Sequence, residues 1–159
     1  MKKITLFLVI CLLFASITAY AADENLGMEV DGSVLTDLTE VSSDISSDSF
    51  ARGTYLGTGG AKLTNCGNHV LNVWGYTTCN RTSDEVKVTL HLQRYLNGSW
   101  SNVTTLDTKV AYNDHYVSNS RDVTVTGGYY YRIKGTHTAI KGDVVESTSS
   151  ATDGMWVSR

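Results

Sequence analysis

The sequence predicts an all-β protein: a single antiparallel β-sandwich domain behind an exported leader. Three observations predict it. From Glu85 to Arg94, Val86, Val88, Leu90 and Leu92 alternate without error with Lys87, Thr89, His91 and Gln93. A period of two places one face in a core and the other in water. Turn dipeptides punctuate such runs at Asn97-Gly98, Gly127-Gly128 and Lys141-Gly142, the residues that tight hairpins require. Nothing between residues 53 and 159 reads as a long helix.

The chain opens on Met1-Lys2-Lys3, then runs from Ile4 to Phe14 with Thr5 as the one polar residue, then reaches Ala19-Tyr20-Ala21. A basic start, a short apolar stretch and small residues at two spaced positions make a secretory signal peptide, cut after Ala21. The apolar run is shorter than the ~20 residues of a membrane-spanning helix. Cys11 follows Val9 and Ile10, where lipid modification requires small residues, so it leaves with the leader. The expected location is extracellular, with no stable membrane anchor after cleavage.

Residues 22–52 are expected to be an acidic, mostly disordered linker or pro-segment. Eight acids and no base fall in 22–51, and Ser42-Ser43-Asp44-Ile45-Ser46-Ser47-Asp48-Ser49 offers little to bury. A short amphipathic helix through Leu35, Leu38, Val41 and Ile45 is the alternative. Arg52-Gly53 is a candidate processing point. Removal of Lys2 and Lys3 with the leader takes the formal charge from −3 to −5. Residues 52–159 nonetheless carry 11 bases against 8 acids. That excess is too small for nucleic acid, yet it suits weak attraction to an anionic envelope.

The domain proper is expected over 53–159. Its strands are Ala61–Cys66, Val70–Trp74, Glu85–Arg94, Ser99–Leu106, Lys109–Tyr112, Arg121–Thr126, Tyr129–Lys134, Thr136–Ile140, Asp143–Thr148 and Met155–Val157. Proline is absent, so glycine, asparagine and charge must manage turns and edges. A Greek-key or immunoglobulin-like layout fits this spacing, and Tyr129 or Tyr131 after a glycine turn suits a tyrosine corner.

Export leaves Cys66 and Cys79, which an oxidising compartment would pair. The pairing depends on a chain reversal at Gly75. Without one, Cys79 lies about 33 Å along a straight strand, well beyond disulfide reach.

No catalytic pattern emerges. His69, His91, His115 and His137 are scattered, without metal-ligand spacing. There is no G-x-S-x-G or S-x-x-K sequence, no paired carboxylates for glycoside cleavage, and no calcium or phosphate loop. The expectation is therefore a non-enzyme with no cofactor and no metal. A His137–Glu146 pair across the Lys141-Gly142 turn is the one arrangement that would support an enzyme; a structural hydrogen bond there is the simpler reading. Aromatic side chains remain as binding groups. Tyr130, whose neighbours on both sides face the other way, and Trp100 are the candidate binding residues, for stacking on a sugar.

The stretches Leu90–Val103, Gly128–His137 and Glu146–Gly154 resemble a family of small secreted proteins of Gram-positive bacteria, catalogued only as a domain of unknown function. The resemblance spans about 53–159 and implies a bacterial secreted β-sandwich. It carries no activity, cofactor or catalytic residue. The functional expectation is a non-catalytic extracellular binding module for a cell-envelope polymer, glycan or protein. The alternatives are an antagonistic, membrane-active protein matured from the acidic segment and an enzyme with an unrecognised site.

Overall fold

The computed structural model describes residues 34–45 and 53–159. The leader, its cleavage point after Ala21, Cys11 and Arg52 lie outside them.

Every regular element among the described residues is a strand, in the order β1 (Leu35–Thr36), β2 (Glu40–Ile45), β3 (Leu56–Asn65), β4 (Val70–Leu96), β5 (Ser99–Thr105), β6 (Lys109–Thr124), β7 (Tyr129–Lys141), β8 (Val144–Ala151) and β9 (Gly154–Val157). The all-β expectation holds. The strands form one hydrogen-bonded, nine-stranded sheet, ordered β1-β9-β7-β4-β3-β2, with β5 and β6 also on β4 and β8 on β7, curled into a half-barrel. The sheet is mixed, because β1 runs parallel to β9.

Strand β4 explains how one sheet curls into a half-barrel around a core. Its 27 residues far exceed the usual strand length of roughly 3–10. It changes partner midway: Leu56–Asn65 pairs with its first half, and Glu85–Arg94 pairs with β7. Strand β6 follows β4 through both halves and slips register between Thr78 and Ser83. Extra residues on one strand at such a slip sharpen local twist. The two wings then curl over one another. Leu71 and Val73 of the first half and Val86, Val88, Leu90 and Leu92 of the second are all fully buried. Each such side chain contributes roughly 1.5–3 kcal/mol on leaving water.

The turns follow the sequence. Asn97 and Gly98 have φ of 52° and 80°, the left-handed pair of a type I′ hairpin. Tyr131, buried at 1% exposure, donates its hydroxyl to Thr126 O at 2.7 Å, the bond that a tyrosine corner makes.

Two expectations need correction. The segment read as a disordered acidic linker contributes structure between Val34 and Ile45. Strand β2 pairs antiparallel with β3, from Glu40 opposite Thr64 to Ile45 opposite Gly59. Val41 is buried at 6% exposure, joining the core through a strand rather than the alternative helix. Alternation decided this: Val41 and Ser43 point inward, and both are small enough to sit against the opposite wing.

The second correction concerns the cysteines. The chain runs straight through Gly75, and Cys79 ends the β3–β4 ladder opposite Leu56. Cys66 lies at the other end of that hairpin, where its N–H bonds Val70 O. About ten residues of strand, roughly 33 Å, separate them, and both are free thiols. Gly75 is a glycine for another reason. A Cβ there would stand 2.6 Å from Leu90 Cδ2 and 2.9 Å from Gly60 O. It is a point of close approach between the wings, not a corner.

Candidate binding face

Burial of Leu90, Leu92, Tyr131 and Ile133 on one side of β4 and β7 forces the intervening residues outward. Three cross-strand rows result. His91 lies opposite Thr105 on β5 and Lys134 on β7; Gln93 lies opposite Asn102 and Arg132; Tyr95 lies opposite Trp100. Tyr130 lies opposite Trp156 of β9. The pair Arg94–Tyr131 brings these last two aromatic pairs to the same end of β4 and β7.

The rings are in contact. Tyr95 and Trp100 have centroids 5.1 Å apart, and Tyr130 and Trp156 4.9 Å apart. Both pairs are tilted, a favourable geometry for aromatic side chains. Arg132 lies over the Trp100 ring at 4.4 Å from its centroid and donates Nε to Gln93 Oε1 at 2.8 Å. Its guanidinium is thus fixed by a cation–π contact and a hydrogen bond. Gln93 in turn donates Nε2 to Asn102 Oδ1 at 2.9 Å. Gly154 lets the indole lie where it does: a Cβ there would be 2.8 Å from Trp100 Cη2.

The two sequence candidates therefore share a face but differ in role. Tyr130 is half-buried and presents its ring beside Trp156, which is 38% exposed. Trp100 is a support, with one side against Arg132 and its edge at Gly154. Sequence reasoning left Trp156 among the unranked aromatic side chains and missed Arg132 and Gly154. Trp156 was legible, because Met155 and Val157 alternate with it and are buried. The outward positions of β4 from Thr89 to Tyr95 and of β7 from Tyr130 to Lys134 hold His91, Arg132 and Lys134 and no carboxylate.

The expected His137–Glu146 pair does not form. The β7–β8 register sets His137 opposite Thr148 and Glu146 opposite Ala139. Glu146 instead accepts backbone N–H bonds from Thr54 (2.8 Å), Tyr55 (2.9 Å) and Leu56 (2.6 Å). Partial burial pushes its carboxyl up, but the three bonds outweigh that and hold it below the usual range. Glu146 is a clamp on the entry to β3.

His137 is fully buried and joins the wings. Nδ1 is 3.0 Å from Thr77 Oγ1 on β4, and Nε2 is 2.8 Å from Ser150 Oγ on β8. The Thr77 hydroxyl has one proton, and it goes to Lys87 O at 2.8 Å. Thr77 must therefore accept from Nδ1–H, which leaves Nε2 to accept from the Ser150 hydroxyl. A serine hydrogen-bonded to a histidine is the first half of a hydrolase triad. Here both residues are sealed in the core, with Gly59 packed against the imidazole and Gly135 under Ser150 Oγ. Burial lowers the His137 pKa to about 4, with a backbone hydrogen bond at Tyr76 pulling the other way. Its role is to tie the layers together.

Burial also pushes the Cys79 thiol up, ahead of an opposing bond from Ser83, so it is not an activated thiolate. Among the described residues no three His, Cys, Asp or Glu side chains gather as a metal site. No helix among them is long and apolar enough to cross a membrane.

A family model described as a family of unknown function, DUF6147, matches residues 20–155. The chain belongs to this family. The match reaches upstream of β1 and β2, in keeping with their place in the sheet. No curated protein matches the chain.

Proposed function

We propose that this member of a family of unknown function is a non-catalytic, exported binding module that holds an extracellular envelope polymer by stacking its sugar rings on Tyr130 and Trp156. The observation that carries the reading is the outer face itself. Paired aromatic rings lie next to a guanidinium pinned on Trp100, in a row with the amides of Gln93 and Asn102. Rings supply apolar contact, amides meet hydroxyls, and Arg132, Lys134 and His91 suit an anionic surface. Export follows from the Met1–Ala21 leader. The position of β2 in the sheet favours this reading over maturation at Gly53, which would strip a strand and Val41 from the core.

The test is retention on purified peptidoglycan sacculi and on a glycan array. The wild-type protein is expected to bind, and Trp156→Ala with Tyr130→Ser to lose about tenfold in affinity, roughly 1.4 kcal/mol. Retention no better than that of a charge-matched control protein overturns the reading.

A further inference from the structure

The first half of β4 carries a second row of rings, on the outer face of the other wing. Inward burial of Leu71, Val73 and Thr77 turns Asn72, Trp74, Tyr76 and Thr78 outward. Across the β4–β6 ladder these face Asp122, Ser120, Ser118 and Tyr116 in turn. Trp74 and Tyr76 have centroids 5.3 Å apart, and Tyr76 and Tyr116 6.3 Å apart with planes only 24° from parallel. Tyr116 is 41% exposed. The residues beside the rings, Ser118 and Ser120, are too short to cover them.

From this geometry we infer that Trp74, Tyr76 and Tyr116 form a second, separate polysaccharide platform, which takes a neutral chain of pyranoses with equatorial hydroxyls and makes the protein bivalent. The inference goes beyond the Tyr130–Trp156 face and uses none of its residues. A pyranose with equatorial hydroxyls has a flat C–H face that lies on an aromatic ring, and an extended chain offers such faces in succession. Three rings in succession, 5.3 Å and 6.3 Å apart, match that repetition, where a single small ligand would use one. The edge of the row supplies the polar contacts. Asn72 Nδ2 donates to Asp122 Oδ1 at 2.7 Å and contacts Ser120 Oγ at 3.3 Å. A carboxylate accepts more than one bond, so Asp122 also suits sugar hydroxyls, which are donors. The charge complements a neutral ligand. Asp122 stands beside the rings, and the base nearest them in register, Lys62 opposite Trp74, is 3.5 Å from Glu40. A polyanion would meet like charge here, in contrast to the Arg132 face.

The experiment is affinity electrophoresis of the full protein through native gels containing hydroxyethylcellulose, a neutral β-linked glucan. The polymer is expected to retard the wild type. Trp74→Ala and Tyr116→Ser are each expected to weaken retardation about tenfold, and Val145→Ser, an exposed residue of β8 in neither ring row, to leave it unchanged. Tyr116→Ser removes only an exposed ring, so it remains informative if Trp74→Ala fails to fold. Retardation equal to wild type in both platform variants overturns the inference. So does a concentration-dependent dimer that Tyr116→Ser abolishes, which would make the row an interface between copies. Loss of sacculus binding as a property of the wild type would strike the Tyr130–Trp156 reading and leave the result for Trp74 standing.

Discussion

The two halves of β4 follow one rule on the inside and two rules on the outside. Inward, Leu71 and Val73 are interchangeable in kind with Val88 and Leu90: aliphatic, fully buried and alternating. Outward, the first half sets Trp74 and Tyr76 among serines, Asn72 and Asp122, whereas the second sets Tyr95 among Gln93, His91, Arg132 and Lys134. The inward rule fixes the fold, because the wings share one core. The outward residues are free of that constraint, and they give the two surfaces different charge. A residue that serves both wings should therefore damage both surfaces, and an outward residue should damage one.

Gly75→Val is expected to have the largest effect. Its Cβ would stand 2.6 Å from Leu90 Cδ2 across the core and 2.9 Å from Gly60 O on the neighbouring strand, so both Leu90 and the β3 backbone must shift. Overpacking of this kind costs about 3 kcal/mol or more. Urea unfolding should show a large fall in midpoint, and both ring faces should fail together. If stability held and one face alone failed, the shared-core comparison would break.

Acid should act almost as strongly. The His137 pKa is about 4 in the folded protein against about 6.5 unfolded. A depressed folded pKa means that the unfolded chain takes up the proton first, so stability is full above pH 6.5 and falls as the pH drops toward 4. The loss amounts to roughly 3 kcal/mol at the lower end. Asp84 is held low by the Gly142 N–H and Lys141, and Glu146 by its three backbone bonds. Both lose stability in the same direction, but their range begins below that of the histidine. Unfolding midpoints between pH 7 and 5 therefore report His137. A flat profile over that range would contradict the tie between wings.

Arg132→Gln sharpens the difference between the faces. It should weaken sacculus binding about threefold to tenfold, flatten its salt dependence, and leave hydroxyethylcellulose binding unchanged. Glu146→Gln should have the smallest effect. It loses charge-assisted bonds at a partly exposed site, on the order of 1 kcal/mol after screening. Thermal melting should register it, and neither face should lose affinity.

Much of the fold was legible because alternation survives tertiary context. Val86 through Leu92, the Asn97-Gly98 turn and the Tyr131 hydroxyl bond all lie where local pattern put them. The rest required partners distant in sequence. Strand β2 reads as a solvated acidic run because Val41 stands among Glu40, Ser42 and Ser43, and β3 supplies the reason for it to be a strand. Gly75 reads as a corner because a glycine inside a strand signals either a bend or a close approach, and only Leu90, fifteen positions on, tells them apart. The error at Gly75 carried the cysteine pairing with it. On the binding face, Tyr130 was legible from alternation, whereas the role of Trp100 as a support depends on Arg132 and Gly154, which three different strands bring together.

The most direct test is a heteronuclear NMR titration that follows the indole N–H signals of Trp74, Trp100 and Trp156 as solubilised peptidoglycan fragments are added. The stacking reading predicts that the Trp156 signal moves most, that Trp100 follows through its contact with Arg132, and that the movement vanishes in Tyr130→Ser. Indole signals that all stay in place while the fragments bind elsewhere, or while nothing binds, would contradict it.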